Sequence, residues 1–169
     1  MKFLSILLIF LFSLMGCSQN ELKKEETTTY FFIRHTEKDL SNPKNKDPEL
    51  TEEGKIRAQK WAKVFSEVKL DMVFSTDYTR TRNTAKPIAE SQNLEIVLYD
   101  PGNLNDLDFQ EKSKGKTCVI VGHSNTTPDF VNKIIGNKKY SSIDEKIYGK
   151  LFVITIQNDE IADLVLTID

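Results

Sequence analysis

Segments typical of β-strands alternate with segments typical of α-helices from about residue 29 to the end of the 169-residue chain. Short apolar or β-branched runs predict strands at 29–33, 72–74, 95–99, 117–121, 151–157 and 161–168. Apolar residues on one helical face predict helices at 51–68 and 126–135, and two further helices are expected at 78–92 and 103–112. Strands that alternate with helices favour an α/β fold, a three-layer α/β/α sandwich with a mostly parallel sheet. Asn158 and Asp159 join the last two strands, which predicts an antiparallel hairpin at the C-terminal edge.

The first 16 residues have the pattern of an export signal. Lys2 precedes an apolar run over 3–15, which is too short to span a bilayer because spanning takes about 20 residues. The run ends in the sequence LMGC at 14–17, which resembles the bacterial lipobox, where the cysteine is lipidated and everything before it is removed. An ordinary signal peptide with an incidental cysteine is the alternative interpretation.

These patterns predict three parts of the chain: a lipoprotein signal peptide at 1–16, a polar, flexible tether at 17–28, and one domain at 29–169. We therefore expect an exported lipoprotein that Cys17 anchors to a membrane of the bacterial cell envelope. Cys118 lies in an apolar run and is predicted to be a small core residue. The formal net charge of −2 provides no broad basic surface, so a nucleic-acid partner is not expected.

Both histidines of the chain directly follow predicted strands. Arg34 and His35 follow the strand at 29–33, and His123 follows the strand at 117–121. Arg80 lies in the first turn of the helix that follows the second strand. Ligands of such sheets bind beyond the carboxyl ends of the strands. If these strands are neighbours, two imidazoles and two guanidiniums converge on one crevice, a combination that suits a bound anion.

Two other kinds of site use some of the same residue types. Two histidines and a carboxylate can hold zinc, but Arg34 and Arg80 would repel a dication, so no metal is expected. The sequence around Ser124 is loosely similar to the nucleophile elbow of a serine hydrolase. The second glycine of that motif is replaced by Thr126, and both histidines precede the serine, which is the wrong chain order. An anion site is therefore favoured over both alternatives.

Four motifs occur in order and together resemble those of the histidine phosphatase superfamily, the phosphoglycerate-mutase-like fold. They are RHT at 34–36, LTEEG at 50–54, Ser75 followed by Arg80 and TA at 84–85, and GHS at 122–124. The resemblance covers about residues 30–136. Members usually have glycine after the first histidine, where this chain has Thr36, another small residue.

The resemblance implies a phosphatase, a phosphoric monoester hydrolase that acts on a small phosphorylated substrate without a cofactor. His35 would be the nucleophile that forms a phosphohistidine, and Arg34, Arg80 and His123 would hold the phosphoryl oxygens. The function expected is then that of a lipid-anchored phosphatase, with a low-activity phosphate-binding lipoprotein of the same fold as the alternative. Mutase chemistry is less expected because the short chain leaves little room for the insertions that enclose a transferred phosphoryl group.

The acid that would protonate the leaving group is the weakest part of the pattern. Members often carry it after the third strand, where Asp100 is the leading candidate, followed by Asp106 and Asp108, with Asp129 as an outside candidate. Asp100 also begins an ordinary turn signal. An enzyme without a good acid should prefer leaving groups that need little protonation, such as phosphohistidine, acyl phosphates or anhydrides.

Overall fold

The computed structural model describes residues 26–168, which form one mixed sheet flanked by helices. The strands are β1 (Thr27–Arg34), β2 (Met72–Thr76), β3 (Ile96–Tyr99), β4 (Thr117–Gly122), β5 (Lys150–Gln157) and β6 (Glu160–Thr167). The helices are α1 (Glu52–Val64), α2 (Thr79–Ser91), α3 (Leu107–Ser113) and α4 (Thr126–Ile135). The predicted signal peptide at 1–16 and the lipidation site Cys17 lie outside the described residues. No helix within 26–168 is both long and apolar enough to cross a membrane.

The six strands lie in the order β3-β2-β4-β1-β5-β6. The pairs β3–β2, β2–β4 and β4–β1 are parallel, whereas β5 runs antiparallel to both β1 and β6. Asn158 and Asp159 in the β5–β6 turn have positive φ values of 51° and 64°, the backbone geometry of a tight hairpin turn. The predicted mostly parallel sheet with an antiparallel C-terminal edge is confirmed.

The sheet separates two apolar cores, which gives the predicted three layers. On one face, Phe130 of α4 packs against both Phe32 of β1 and Phe109 of α3. On the other face, Trp61 of α1 and Ile88 of α2 belong to the core that covers the opposite side of the strands. Burial of these large side chains is the main stabilising contribution to the sandwich.

The domain begins two residues earlier than the sequence predicts. Thr27 and Thr28, assigned to the tether, pair with Gln157 and Ile156 of β5. The Thr28 hydroxyl also accepts a hydrogen bond of 2.8 Å from the backbone N–H of Gly115. The polar composition of this segment hides the strand, because its stabilisation comes from main-chain pairing rather than from apolar side chains.

The start of α1 packs closely against the loop that follows β1. Thr51 caps the helix by accepting from Gly54 N–H at 3.1 Å, and its own N–H donates to the Glu37 carbonyl at 2.9 Å. A Cβ at Gly54 would lie 2.2 Å from that carbonyl oxygen, so only glycine fits. The Thr36 hydroxyl donates to the Gly54 carbonyl at 2.8 Å and completes the contact. The LTEEG motif therefore fixes the loop directly after His35.

Candidate active site

The carboxyl ends of β1, β4 and β2 meet at one edge of the sheet. Arg34 is the register partner of Gly122, and the N–H of His35 donates to the Gly122 carbonyl at 2.9 Å. β2 lies on the other side of β4, so that the start of α2 reaches the same edge. The two imidazole rings consequently lie 5.6 Å apart between centroids, in an edge-to-face arrangement.

His35 is buried and held in one orientation by a local hydrogen bond. Its Nδ1 lies 2.7 Å from the carbonyl oxygen of Thr36, and its side chain lines a cleft together with Arg80 and His123. A carbonyl only accepts, so Nδ1 carries the proton and Nε2 keeps a free lone pair. Burial, together with the charges of Arg34 and Arg80, lowers the pKa of His35 to about 3. The ring is therefore neutral at pH 7, the state that a nucleophile requires.

His123 has both ring nitrogens occupied. Its Nε2 lies 3.0 Å from the Thr76 hydroxyl, which itself donates to the Thr81 hydroxyl. Nε2 therefore donates, and Nδ1 accepts from Arg80 Nη2 at 3.4 Å. Tyr78 packs edge-on against the ring at 4.9 Å. Burial and the charge of Arg80 lower the pKa of His123 to about 4, so this ring is neutral as well.

Arg80 is fixed at the N-terminus of α2 by Asp47 and Tyr78. Its Nη1 donates to Asp47 at 3.2 Å, and its guanidinium lies 4.5 Å from the centre of the Tyr78 ring. The Asp47 carboxylate also accepts from the backbone N–H and the hydroxyl of Thr79. This carboxylate takes the place of a side-chain cap, which Tyr78 lacks, and it offsets the cost of an arginine at the positive end of a helix.

Arg34 is fully buried, and its guanidinium contacts the segment between α4 and β5. Nη1 donates to the carbonyls of Asp144 and Ile147 at 3.0 and 3.2 Å, and Nη2 donates to Glu145 at 3.2 Å. The ring of Tyr148 lies 4.4 Å from the guanidinium carbon. Both Nη atoms of Arg34 are therefore hydrogen-bonded to other protein groups, although the positive charge of Arg34 still lowers the pKa of His35.

The remaining donors of both arginines are consistent with an anion site. Within residues 26–168, the Nε atoms of Arg34 and Arg80 are buried and have no hydrogen-bond partner. A buried donor without a partner is costly, and a bound oxyanion would supply one. The cleft beside them has a volume of about 300 Å³ and is lined by both histidines and Arg80, together with Lys38, Tyr78 and Ser124.

None of the four carboxylates proposed as leaving-group acids lines the cleft. Asp100 caps the N–H of Gly102, and Asp106 caps the N–H of Phe109 at the start of α3. Asp108 pairs with Lys112, and Asp129 is exposed in the first turn of α4. Pro101 reaches the cleft, but in the described part of the chain no aspartate or glutamate lines it.

Three residues that the sequence did not indicate take part in the site. Lys38 lines the cleft three residues after His35, a proximity that would have been a usable signal. Asp47 comes from the loop after β1, and Glu145 comes from the segment after α4. Neither carboxylate belongs to a motif, because each reaches the arginines only through the tertiary fold.

Comparisons with known proteins agree with this geometry. Residues 30–117, more than half of the chain, match the model of the histidine phosphatase superfamily (branch 1). Phosphoserine phosphatase 1 of Hydrogenobacter thermophilus is 38% identical over 73 residues, which cover 40% of this chain and 34% of that protein. The matched region thus spans about a third of that relative's length.

Solved structures of low sequence identity share the fold. YhfR of Bacillus stearothermophilus superposes with a TM-score of 0.66 at 15% identity, over 82% of this chain and 96% of that one. SixA of Agrobacterium tumefaciens, named as a candidate phosphohistidine phosphatase, superposes with a TM-score of 0.60 at 17% identity, over 83% of this chain and 99% of that one. The α-ribazole phosphatase of Shigella flexneri superposes with a TM-score of 0.63 at 15% identity, over 83% of this chain and 96% of that one. The chain belongs to the histidine phosphatase superfamily, branch 1.

Proposed function

We propose that this chain is a lipid-anchored phosphatase that hydrolyses phosphomonoesters or other phosphoryl compounds through a phosphohistidine on His35. The observation that carries the proposal is the free Nε2 lone pair of a neutral, buried imidazole that lines a cleft with Arg80 and His123. Membership of the histidine phosphatase superfamily and the phosphatase names of its relatives support it.

The reaction proceeds in two displacements. Nε2 of His35 attacks phosphorus, the bond from phosphorus to the leaving group breaks, and the leaving group keeps the bonding electrons. Water then attacks the phosphohistidine, the N–P bond breaks, the imidazole regains its lone pair, and the water proton passes to solvent or to the phosphate. The unpaired Nε–H groups of Arg80 and Arg34 stabilise the charge on the phosphoryl oxygens, and His123 holds Arg80 in place through the bond that its Nδ1 accepts.

The hydrogen bond to Thr36 also assists the first displacement. As Nε2 forms its bond to phosphorus, the ring becomes positively charged and Nδ1–H becomes a stronger donor to the Thr36 carbonyl. This bond therefore strengthens in the transition state, which is the condition for an interaction to raise the rate.

We further propose a preference for leaving groups that depart without a proton. In the described residues the cleft has no carboxylate lining that would act as a general acid. Phosphohistidine, acyl phosphates and anhydrides meet this condition. The similarity of fold to SixA, a candidate phosphohistidine phosphatase, is in line with this preference.

Hydrolysis of aryl phosphates with graded leaving-group pKa tests the catalytic proposal. We expect kcat/KM to fall steeply as the pKa of the leaving phenol rises, because no acid assists departure. A flat dependence would show a working acid and contradict the preference. A chain that binds phosphate but releases no phenol from any of these esters would instead be a phosphate-binding lipoprotein.

Export and anchoring rest on the N-terminal pattern that ends in Cys17. Growth of expressing bacteria with labelled palmitate should label the wild-type chain and the Cys118→Ala variant, in which the other cysteine is removed. The Cys17→Ala variant should carry no label and should retain its signal peptide. Equal labelling of Cys17→Ala would contradict the anchor.

A further inference from the structure

The carboxylate of Glu145 is bound by three donors from two separate parts of the chain. It accepts hydrogen bonds from the Ser124 hydroxyl and from Arg34 Nη2 at 3.2 Å, and the ammonium of Lys38 lies 3.6 Å away. Arg34 is the last residue of β1, Lys38 lies in the loop that follows β1, and Ser124 lies just after β4. Their convergence on one carboxylate shows that this group of donors is suited to an anionic oxygen group.

Glu145 is also placed so that an incoming ligand can replace it. Its side chain is 61% exposed, whereas that of Arg34 is 0% exposed and that of Lys38 is 23% exposed. The donors are therefore anchored more firmly than the acceptor. Lys38 is further held through backbone pairing with Leu50, and Ser124 through its carbonyl, which accepts from Ile143 N–H at 2.8 Å.

Two of the three donors open into the catalytic cleft. Lys38 and Ser124 line the same cavity as His35, Arg80 and His123. The phosphoryl group is already provided with the unpaired Nε–H groups of Arg80 and Arg34. Lys38 and the Ser124 hydroxyl are thus additional donors, available to a second anionic group on the same substrate.

We infer that Lys38, Ser124 and Arg34 Nη2 form a second anion subsite, which Glu145 fills until a substrate's own anionic group replaces it. The inference rests on the proposed function. The substrate class is that of phosphoryl compounds whose leaving group carries a carboxylate or a phosphate. Anhydrides of this class need no general acid, which agrees with a cleft that no described aspartate or glutamate lines.

The charges around the cleft support this specificity. Arg34, Lys38 and Arg80 face Glu145 and Asp47, so the two carboxylates offset most of the positive charge. The Ser124 hydrogen bond, with Arg34 and Lys38, holds the pKa of Glu145 below its ordinary value, so that the carboxylate stays charged. A substrate with a neutral leaving group does not displace Glu145, whereas an anionic leaving group replaces Glu145 as the acceptor for Ser124, Arg34 and Lys38.

Binding of two matched phosphonates to the full-length chain, measured calorimetrically, tests the subsite without relying on turnover. One is (3-carboxybenzyl)phosphonate and the other is its carboxamide, which has the same shape but no charge. We expect the carboxylate to bind more tightly, and we expect the ratio of the two affinities to increase about fivefold in Glu145→Gln, since the donors are freed.

The ratio should fall to about one in Lys38→Gln and stay at the wild-type value in Lys86→Gln, whose lysine lies on α2 and pairs with Glu90. A ratio that Lys38→Gln and Glu145→Gln both leave unchanged would overturn the subsite but not the phosphatase. Failure of both phosphonates to bind the wild-type chain would overturn the proposed function as well as the subsite.

Discussion

The two histidines follow adjacent parallel strands in the same way, yet their hydrogen bonds differ. His35 bonds through Nδ1 to the Thr36 carbonyl, which leaves Nε2 free in the cleft. His123 bonds through Nε2 to Thr76 and through Nδ1 to Arg80. One ring therefore has a lone pair to give to phosphorus, while the other is fixed as part of a binding surface. The partner of each nitrogen, rather than the residue type, sets the role.

The largest expected effect is the difference between alanine substitutions at the two positions. His35→Ala should lower kcat by about 10⁴-fold or more, since loss of a nucleophile removes the chemical route. His123→Ala should cost less, about 10²-fold, because it removes the acceptor that positions Arg80 and leaves the nucleophile in place. Steady-state kinetics with one aryl phosphate checks both values, and circular dichroism checks folding. Equal losses would contradict the division of roles.

Arg80 is the next test, because it contacts His123 and also presents an unpaired Nε–H. Arg80→Ala should reduce kcat/KM by about 10²–10³-fold and weaken inhibition by phosphate and vanadate. Arg82→Ala is the matched control, since Arg82 lies on the same helix but pairs with Asp77 at the exposed surface. Unchanged vanadate inhibition in Arg80→Ala would remove this guanidinium from the anion site.

Acid should destabilise the fold through both histidines. Their pKa values in the folded protein, about 3 and about 4, lie below the ordinary value of about 6.5 in the unfolded chain. As pH falls below 6.5 the unfolded chain binds protons that the folded chain does not, so the free energy of unfolding decreases. Each histidine should contribute about 2 kcal/mol of this loss between pH 7 and pH 5.

Urea unfolding at pH 7 and pH 5 measures this loss. His35→Gln and His123→Gln should each lose less stability on acidification than the wild type, by similar amounts. Saturating phosphate should protect the wild type at pH 5, because a bound anion favours the protonated rings. Identical pH dependence in the wild type and both variants would contradict the neutral, buried state of the imidazoles.

The smallest expected effect concerns the residue that orients His123. Thr76→Val removes the acceptor of His123 Nε2–H with little change of shape, and should lower kcat/KM about tenfold through poorer alignment of the ring. Ser75→Ala is the control, because the buried Ser75 hydroxyl donates to the Thr76 carbonyl and not to either histidine. An equal effect of both changes on kcat/KM would mean that Thr76 acts only through stability.

The sequence predicted the parts of the site that follow from strand order. His35 and His123 are placed by the ends of β1 and β4, and Arg80 by the start of α2, so apolar patterning was sufficient to locate them. The sheet itself, with its antiparallel edge, follows from the same alternation and from the turn at Asn158 and Asp159.

The hydrogen-bond partners were not predictable in the same way. The two Nη atoms of Arg34 contact Asp144, Glu145 and Ile147, in a segment with no hydrophobic period or motif. Asp47 similarly reaches Arg80 from a loop. Such contacts depend on how loops close over the sheet, and single charged residues in a loop carry no sequence signal for their partner.

The most direct measurement is the identity of the phosphorylated nitrogen. The chain is quenched under alkaline conditions, during turnover of an aryl phosphate with a good leaving group, and ³¹P NMR and peptide mapping then locate the phosphoryl group. We expect it on Nε2 of His35, with no label in His35→Ala. Phosphate on Nδ1, on His123, or still present in His35→Ala would contradict the assignment of His35 as the nucleophile.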